Sequence, residues 1–279
     1  MTTLAVMLIV VAIALSGVMT LAWFIAGCTG RSGWIDAIWS YAVGAGGVVT
    51  SLLPLGASDQ IDARQWLVAG LAALWSLRLG SHIAARTLHG GDDPRYRQLR
   101  EEWGGKFRAR LFWFLQIQAA AAFLLVVTIL TAAHRPGDGL SYGDLLGIGI
   151  FAIALVGEAV ADRQLARFSA EPENKGKVCD TGLWAFSRHP NYFFEWLVWV
   201  AFAAIAIVGG FYIFGWGALA GPAFMYWLLV YVSGIPPLEA HMLRSRGEAF
   251  SAYQRRANAF WPRLPATRHP AQKFEDGIS

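Results

Sequence analysis

The stretch Ser187–Val208, SRHPNYFFEWLVWVAFAAIAIV, decides the fold class of this chain. Its first nine residues include Arg188, His189, Asn191 and Glu195, and no charged residue follows before the stretch ends. About 17 to 25 mostly apolar residues are enough to cross a bilayer as a helix. The stretch therefore predicts a membrane-spanning helix that begins with a group of polar side chains.

Similar apolar runs recur along the 279 residues, of which 56% are hydrophobic and only 15% are charged. Soluble domains usually carry about 25% charged residues. The alternation typical of a barrel strand is missing, so lipid-exposed backbone requires helices. We expect an all-α, polytopic integral membrane bundle of seven transmembrane helices, forming one membrane domain over residues 1–279. The predicted spans are Leu4–Gly27, Trp34–Pro54, Trp66–Leu88, Leu111–Ala133, Leu145–Ala166, Tyr192–Val208 and Tyr212–Ile235.

The distribution of Lys and Arg predicts the orientation. Cations collect in the predicted loops 89–110 and 168–190 and in the tail 243–279, whereas the opposite loops hold mainly Arg64 and Arg135. By the positive-inside rule the N-terminus is outside and the tail is cytoplasmic. This topology and contact with anionic membrane lipid explain the net charge of +4. The net charge therefore does not require binding to nucleic acid, and we infer no protein partner.

The third predicted helix carries a stripe of cationic or titratable residues. Arg78, His82, Arg86 and His89 follow one another in steps of four, four and three, which places them on one helix face. Charged groups at bilayer depth are costly and are functional candidates by default. His89 and Arg86 could instead reach the headgroups by snorkelling. The deeper Arg78 and His82 favour a wet or anionic cavity.

Asp36 and Tyr41 lie near the start of the second predicted helix. Asp36 could simply be a carboxylate that favours the helix dipole. It could equally pair with the cations of the third helix, or tune a proton donor such as Tyr41 or His82. Both interpretations are open from the residues alone.

Three further helices carry polar residues toward the same predicted side. Glu158 and Asp162 are four residues apart, as are Asn191 and Glu195. In the last span, the sequence Gly234–Pro237 interrupts the helix just before two further polar residues. Those two residues are Glu239 and His241. One polar chamber in the cytoplasmic half of the bundle is the simplest explanation.

The residue types in this chamber suit a nucleotide-like cofactor. Arg and Lys bind phosphates, carboxylates bind ribose hydroxyls, and aromatic side chains contact a planar ring. The chain has neither a GxGxxG nor a GxxxxGK[ST] loop, so the cofactor would lie among the helices and their loops. It also has no HExxH motif and no Cys–His set, so we expect no metal.

Several motifs resemble the membrane steroid 5α-reductase family, particularly its bacterial members. They are Gly182-Leu183-Trp184 followed by FSRHPNYFFEW, the pair Glu158 and Asp162, and the tail GIPPLEAHMLRSRGEAFSAYQRRANAFWP. The upstream segment LRLGSHIAARTLHGGDDPRYRQLREEWG is also similar. The resemblance implies an integral protein of a bacterial inner membrane that uses NADPH to reduce the C4–C5 double bond of a 3-oxo-Δ4-steroid or a similar lipid enone.

The resemblance also implies the cofactor-binding residues. Positions that match the family's cofactor contacts are Asp162, Lys177, Arg188, Asn191, Glu195, Trp199 and His241, with Arg167 and Arg244 nearby. We add His189, Tyr192 and Glu239 from the same two segments. The predicted cofactor site therefore draws on the end of the fifth helix, the start of the sixth and the segment after the seventh.

The resemblance is weaker where the ketone of the substrate would bind. The family uses a Glu and a Tyr from the second and third helices, but the Tyr position matches Ile83 here and the Glu has no clear match. We expect Asp36, Tyr41 and His82, with Arg86 one turn on, to replace them as the catalytic group. The Arg-His-Pro-x-Tyr element also occurs in membrane methyltransferases, so an S-adenosylmethionine-dependent methyltransferase is the alternative.

Overall fold

The computed structural model describes residues 3–55, 60–89, 93–137 and 139–264, and within these residues the chain is helical without a strand. The all-α prediction is confirmed. The α-helices are α1 Thr3–Thr29, α2 Gly33–Ser51, α3 Ala63–His89, α4 Pro94–Trp103, α5 Phe107–Ala133, α6 Tyr142–Ala170, α7 Pro190–Ile207, α8 Ala220–Trp227, α9 Ile235–Arg246 and α10 Glu248–Arg256. The last fifteen residues of the predicted tail, 265–279, and the side chain of His89 lie outside the described part.

The helices indicate a multi-pass membrane protein. Within the described residues, six stretches are long and apolar enough to cross a bilayer: Thr3–Thr29, Ala63–Leu88, Arg95–Ala133, Tyr142–Ala170, Pro190–Ile207 and Ile213–Arg246. Helix α2 is not in this set, since its 19 residues include Asp36 and four glycines. The count of seven spans and the orientation of the termini therefore stay predictions.

The last predicted span, Tyr212–Ile235, is interrupted. It consists of a 3-10 segment, helix α8 and a π-helical turn at Leu228–Val232. The backbone N–H groups of Ser233 and Gly234 both donate to the carbonyl of Leu228, which closes this turn. A Cβ at Gly234 would lie 2.5 Å from the carbonyl oxygen of Leu229, so only glycine fits the break. Helix α9 then starts afresh with two prolines in its first turn, where a missing N–H costs no helical hydrogen bond.

The chain forms two compact units. Unit 1 comprises Met1–Leu155 and Trp196–Tyr226, and unit 2 comprises Val156–Glu195 and Trp227–Ser279. The predicted catalytic residues belong to unit 1. All predicted cofactor residues except Trp199 belong to unit 2. The single membrane domain stays a prediction.

Small residues bring the helices of unit 1 close together. A Cβ at Gly44 in α2 would lie 2.1 Å from the Cβ of Ser76 in α3. A Cβ at Gly147 in α6 would lie 2.3 Å from Cγ1 of Ile205 in α7. Side chains at these positions would force the helices apart. Close packing through small residues is the usual way in which membrane helices associate.

A buried cluster of charges holds the link between α5 and α6 in unit 1. Arg64 Nε and Nη2 donate to the two carboxylate oxygens of Asp144 at 3.0 and 3.2 Å. Arg135 Nη2 donates to the same carboxylate at 2.8 Å. All three side chains are at most 3% exposed. The Arg64 guanidinium also donates to the carbonyls of Arg135, Gly137 and Gly139, so the link is fixed at several points.

Unit 2 is built around the short helix α10. Phe250, Tyr253 and Ala257 form its buried core, against which Val178 and Met242 pack. The loop after α6 is therefore held against α9 and α10. This packing positions the segment that enters α7, where the predicted cofactor motif lies.

Candidate cofactor-binding site

The predicted cofactor motif begins in a tightly fixed turn, Ser187–Asn191, named here the RHP turn. Ser187 Oγ donates to the carbonyl of Phe260 at 3.0 Å and accepts from the N–H of His189 at 3.1 Å. The N–H of Arg188 donates to the carbonyl of Asn258 at 2.8 Å. The turn is thus hydrogen-bonded to the chain that follows α10.

A buried tyrosine fixes the residues just before the RHP turn. The Tyr253 hydroxyl donates to the carbonyls of Trp184 and Ser187. Its burial raises its pKa, so the hydroxyl keeps the proton it donates. The indole N–H of Trp184 donates in turn to the carbonyl of Ala161 in α6 at 3.0 Å. These bonds hold Trp184 in its buried position against α6.

Arg188 and Glu239 form a two-pronged ion pair at the centre of unit 2. Arg188 Nε and Nη2 donate to the Glu239 carboxylate at 2.7 and 3.1 Å, the geometry of a strong charge-assisted pair. Nη1 donates to the carbonyls of Gln254 and Ala257. Every nitrogen of the guanidinium is therefore engaged by protein. Arg188 ties the start of α7 to α9 and α10, a role that the sequence analysis did not foresee.

His189 uses one ring nitrogen and leaves the other without a partner. Nε2 lies 3.0 Å from Oε1 of Glu239, and because a carboxylate only accepts, Nε2 carries the proton. Nδ1 is then an acceptor; it is buried and has no hydrogen-bond partner among the described residues. Burial lowers the pKa of His189 despite the opposing effect of Glu239, so the ring is neutral. It stacks on the ring of Tyr192 at 5.5 Å.

Asn191 and Glu195 lie one turn apart in α7 and share a helix face. Glu195 is only 7% exposed. Oδ1 of Asn191 is buried and has no hydrogen-bond partner within the described part of the chain. A buried polar atom without a partner costs about 1–3 kcal/mol and calls for an explanation such as a ligand. In α6, Glu158 is buried and Asp162 is half-buried.

Exposed cations surround the same segments of unit 2. Arg167, Lys177 and Arg244 are all exposed, and none of them forms an ion pair with another described residue. Arg246 Nε donates to the carbonyl of Lys177 at 3.3 Å, which brings the end of α9 to the loop after α6. His241 is exposed in α9. These side chains can bind an anion without breaking an existing ion pair.

In unit 1, Asp36 binds two residues that the sequence analysis missed. Its carboxylate accepts from Arg95 Nη2 and, at 3.0 Å, from the hydroxyl of Tyr96. Both residues belong to α4, where Asp93 caps the helix by accepting from the N–H of Arg95. Burial tends to raise the pKa of Asp93, but hydrogen bonds and the charge of Arg95 lower it overall. The Asp-Pro pair before Arg95 was the only sequence signal for this helix start.

The remaining predicted catalytic residues are exposed in unit 1. Tyr41 Oη lies 3.1 Å from Oγ of Ser81, and its ring packs on Gly80. His82 is exposed, and Arg86 forms a loose ion pair with Asp93 at 3.4 Å. Within the α3 stripe, His82 and Arg86 are therefore accessible, whereas Arg78 is half-buried. Whether these side chains act on a substrate stays a prediction.

Trp199 is a core residue of unit 1. It is fully buried, and its ring meets the ring of Trp75 edge-on at 5.1 Å. It also packs against Phe202. The structure thus accounts for Trp199 by packing, and its predicted contact with a cofactor stays a prediction.

A family model described as "Protein of unknown function (DUF1295)" matches residues 22–257. The match covers most of the chain and includes the RHP turn, α9 and α10. The protein belongs to the DUF1295 family. This family includes steroid 5α-reductase-like membrane proteins.

Two relatives of this DUF1295 protein differ in what their names state. An uncharacterized protein of Schizosaccharomyces pombe is 24% identical over 233 residues, which cover 72% of this chain and 64% of the relative. A probable O-methyltransferase of Ustilaginoidea virens is 35% identical over 91 residues, 32% of each chain. The chain thus spans less than two thirds of the length of either relative. No solved structure matches it.

Proposed function

We propose that this protein is an NADPH-dependent reductase of the C4–C5 double bond of a 3-oxo-Δ4-steroid or a similar lipid enone. The observation that carries the proposal is the RHP turn, which is held by several hydrogen bonds and keeps two buried acceptors without a partner among the described residues. These are Nδ1 of His189 and Oδ1 of Asn191. A ligand with N–H donors would satisfy them, and the carboxamide of nicotinamide is such a ligand.

The cations of unit 2 support a cofactor with phosphates. Arg167, Lys177 and Arg244 are free of ion pairs among the described residues, so binding a phosphate would not first require breaking one. Arg and Lys are the usual partners of a diphosphate and of a 2′-phosphate. Asp162 would accept from ribose hydroxyls. S-adenosylmethionine carries no phosphate and would offer these cations no phosphate to bind.

The predicted cofactor residues would have different roles. Asn191 and Glu195 would contact the carboxamide. Arg188 and Glu239 would act as positioning residues, because their ion pair holds the RHP turn and already uses the nitrogens of the guanidinium. Tyr192 would keep the His189 ring in place by stacking.

When bound, NADPH would supply the hydride that the β-carbon of the enone accepts. Negative charge then develops on the carbonyl oxygen of the enone, so the protein must supply a hydrogen-bond or proton donor there. Tyr41 and His82 are the proposed donors, with Arg86 as a nearby positive charge. Asp36, which already binds Arg95 and Tyr96, would position this part of unit 1.

A second candidate is an S-adenosylmethionine-dependent membrane methyltransferase. It is favoured by one observation, the 35% identity over 91 residues to a probable O-methyltransferase. The shared segment is short, and the unit 2 cations that have no ion-pair partner among the described residues favour the reductase. Either enzyme would be a multi-pass protein, which we propose to lie in a bacterial inner membrane with a cytoplasmic tail.

The test is turnover by the full chain, purified in detergent and supplied with progesterone or testosterone. NADPH deuterated at the transferable position should yield a reduced steroid with deuterium on the β-carbon. The same preparation should transfer no methyl group from S-adenosylmethionine to lipid acceptors. Methyl transfer without NADPH oxidation would show that the protein is a methyltransferase and not a reductase.

Variants of unit 1 test the donor side separately. We expect His82→Ala and Tyr41→Phe to lower kcat by about 100-fold or more, the usual size of a general-acid contribution, while NADPH affinity stays unchanged. Arg110→Gln, an exposed cation at the start of α5, is the control and should keep full activity. Full turnover in both His82→Ala and Tyr41→Phe would remove these residues from the catalytic group.

A further inference from the structure

The chain after α10 runs beside the RHP turn as a non-helical segment, residues 257–264, named here the strap. Helix α10 ends at Arg256, and the backbone of Ala257 is already extended. Pro262 disfavours a helical conformation of the residue before it, so no helix resumes at Trp261. None of the proposed catalytic or cofactor-binding residues belongs to the strap.

Hydrogen bonds fix the strap within unit 2. The carbonyl of Asn258 accepts from the N–H of Arg188 at 2.8 Å, and the N–H of Arg263 donates to the carbonyl of Phe186 at 2.9 Å. Phe260 is only 3% exposed. The strap is therefore bound near both of its ends to the residues that precede α7.

The strap lies at the level where a membrane-spanning helix begins. Helix α7, Pro190–Ile207, is long and apolar enough to cross a bilayer. Phe193 belongs to its first turn, and its ring meets the rings of Phe260 and Trp261 edge-on at 5.8 and 6.0 Å. Because an α-helix rises only about 5.4 Å per turn, these aromatic rings lie close to the end of the span. This is the level of the lipid headgroups.

Large apolar side chains at this level are exposed. Trp261 is 48% exposed, Leu264 is 81% exposed and Phe186, which is hydrogen-bonded to the strap, is 37% exposed. Removing apolar surface from water is favourable by about 25 cal/mol per Å². Insertion into a leaflet would provide this gain without any change in the strap.

A cation accompanies these apolar residues. Arg263 is exposed and forms no ion pair with another described residue. Trp is enriched where a membrane protein meets the headgroups, and Arg at the same level can reach the lipid phosphates. The exposed part of the strap thus combines the residue types that suit a membrane interface.

We infer that the strap is an interfacial anchor, in which Trp261 and Leu264 insert into the leaflet at the start of α7 and Arg263 binds lipid phosphates. The contact between Trp261 and the first turn of α7 selects the bilayer as the partner, since that turn opens a membrane span. Through its hydrogen bonds, the strap would hold the RHP turn at the membrane surface. The inference is independent of the proposed reductase activity.

The test measures the environment of a spin label on the full chain in nanodiscs of phosphatidylcholine and phosphatidylglycerol. The exposed Cys28 is replaced by Ser, and the label is attached to Leu264→Cys; Cys28→Ser alone shows how much label reaches the buried Cys179. The Leu264 label should be more accessible to oxygen, which concentrates in the bilayer, than to a water-soluble nickel chelate. Ala249→Cys, at an exposed position next to the exposed Glu248, is the matched control and should show the reverse.

A second variant should lift the strap out of the leaflet. Trp261→Glu places a charge at the inserted position and should raise the nickel accessibility of the Leu264 label, whereas Ala249→Glu should leave it unchanged. The comparison of the two labels without these variants stands even if Trp261→Glu does not fold. Equal nickel accessibility at Leu264 and Ala249 would overturn the anchor, because it would place the strap in water. Low accessibility of the Leu264 label to both reagents would also overturn it and would identify a protein surface as the cover.

Discussion

Two Arg–carboxylate clusters of similar composition serve different purposes in the two units. In unit 1, Asp144 accepts from Arg64, Arg135 and Ser141, and the two guanidiniums also bind nearby carbonyls. In unit 2, Glu239 accepts from Arg188, His189 and Gln254. Each cluster therefore anchors distant segments to one carboxylate.

The difference lies in which buried atoms are left without a partner. Among the described residues of the Asp144 cluster, the buried atom without a partner is a donor, Arg135 Nε, on a side chain that is 1% exposed. Beside the Glu239 cluster two acceptors are left, on His189 and Asn191, next to partly exposed residues. The first cluster stabilises the fold. We propose that the second also orients atoms toward a ligand.

The largest effect should come from the Asp144 cluster. Asp144→Ala leaves two buried arginines without their carboxylate, and breaking a buried pair costs about 3–5 kcal/mol in the free energy of unfolding. Denaturant unfolding in detergent measures this loss. Glu248→Ala, which removes an exposed pair with Arg255, should cost less than about 1 kcal/mol. Equal stability of the two variants would contradict a structural role for Asp144.

A smaller loss of stability, with a loss of binding, is expected in the second cluster. Glu239→Gln keeps the shape but weakens the hydrogen bonds from Arg188 and His189, which should cost about 1.5–3 kcal/mol. NADPH affinity should fall about tenfold because the RHP turn loses its anchor. Normal NADPH affinity in a destabilised Glu239→Gln protein would show that the cluster is purely structural, like that of Asp144.

The smallest effect is a dependence of stability on pH. The pKa of His189 is lowered in the folded protein, so below the ordinary value of 6.5 the unfolded chain binds more protons. The free energy of unfolding should therefore fall as the pH drops from about 6.5 toward the lower folded-state pKa, and then level off. His189→Gln should remove this pH-dependent part of the free energy of unfolding. His241→Gln, at an exposed position of the same unit, should retain it.

The apolar spans could be predicted because hydropathy is a local property of the sequence. The 23 residues of Leu111–Ala133 contain no charge, and α5 extends through all of them. The sixth span was predicted as Tyr192–Val208, and α7 covers Pro190–Ile207. The break near Gly234 was also expected, but the π-helical turn before it was not, since it depends on which carbonyl two N–H groups share.

The partners of the charged residues could not be predicted in the same way. Arg188 and Glu239 are 51 residues apart, and Asp36 and Arg95 are 59 apart. Nothing in the local pattern selects such pairs. Arg188 and Asp36 were therefore predicted as site residues from their chemistry alone, although each is already bound by protein. Likewise, only the structure could show that Nδ1 of His189 and Oδ1 of Asn191 are buried acceptors without a partner among the described residues.

The most direct measurement is binding of NADPH, NADH and S-adenosylmethionine to the purified wild-type protein and to Asn191→Ala. We expect NADPH to bind the wild type most tightly, and Asn191→Ala to lower its affinity roughly tenfold while the protein stays folded. S-adenosylmethionine should not bind. Binding of S-adenosylmethionine alone, or unchanged NADPH affinity in both Asn191→Ala and Glu195→Ala, would contradict a nicotinamide site at the RHP turn.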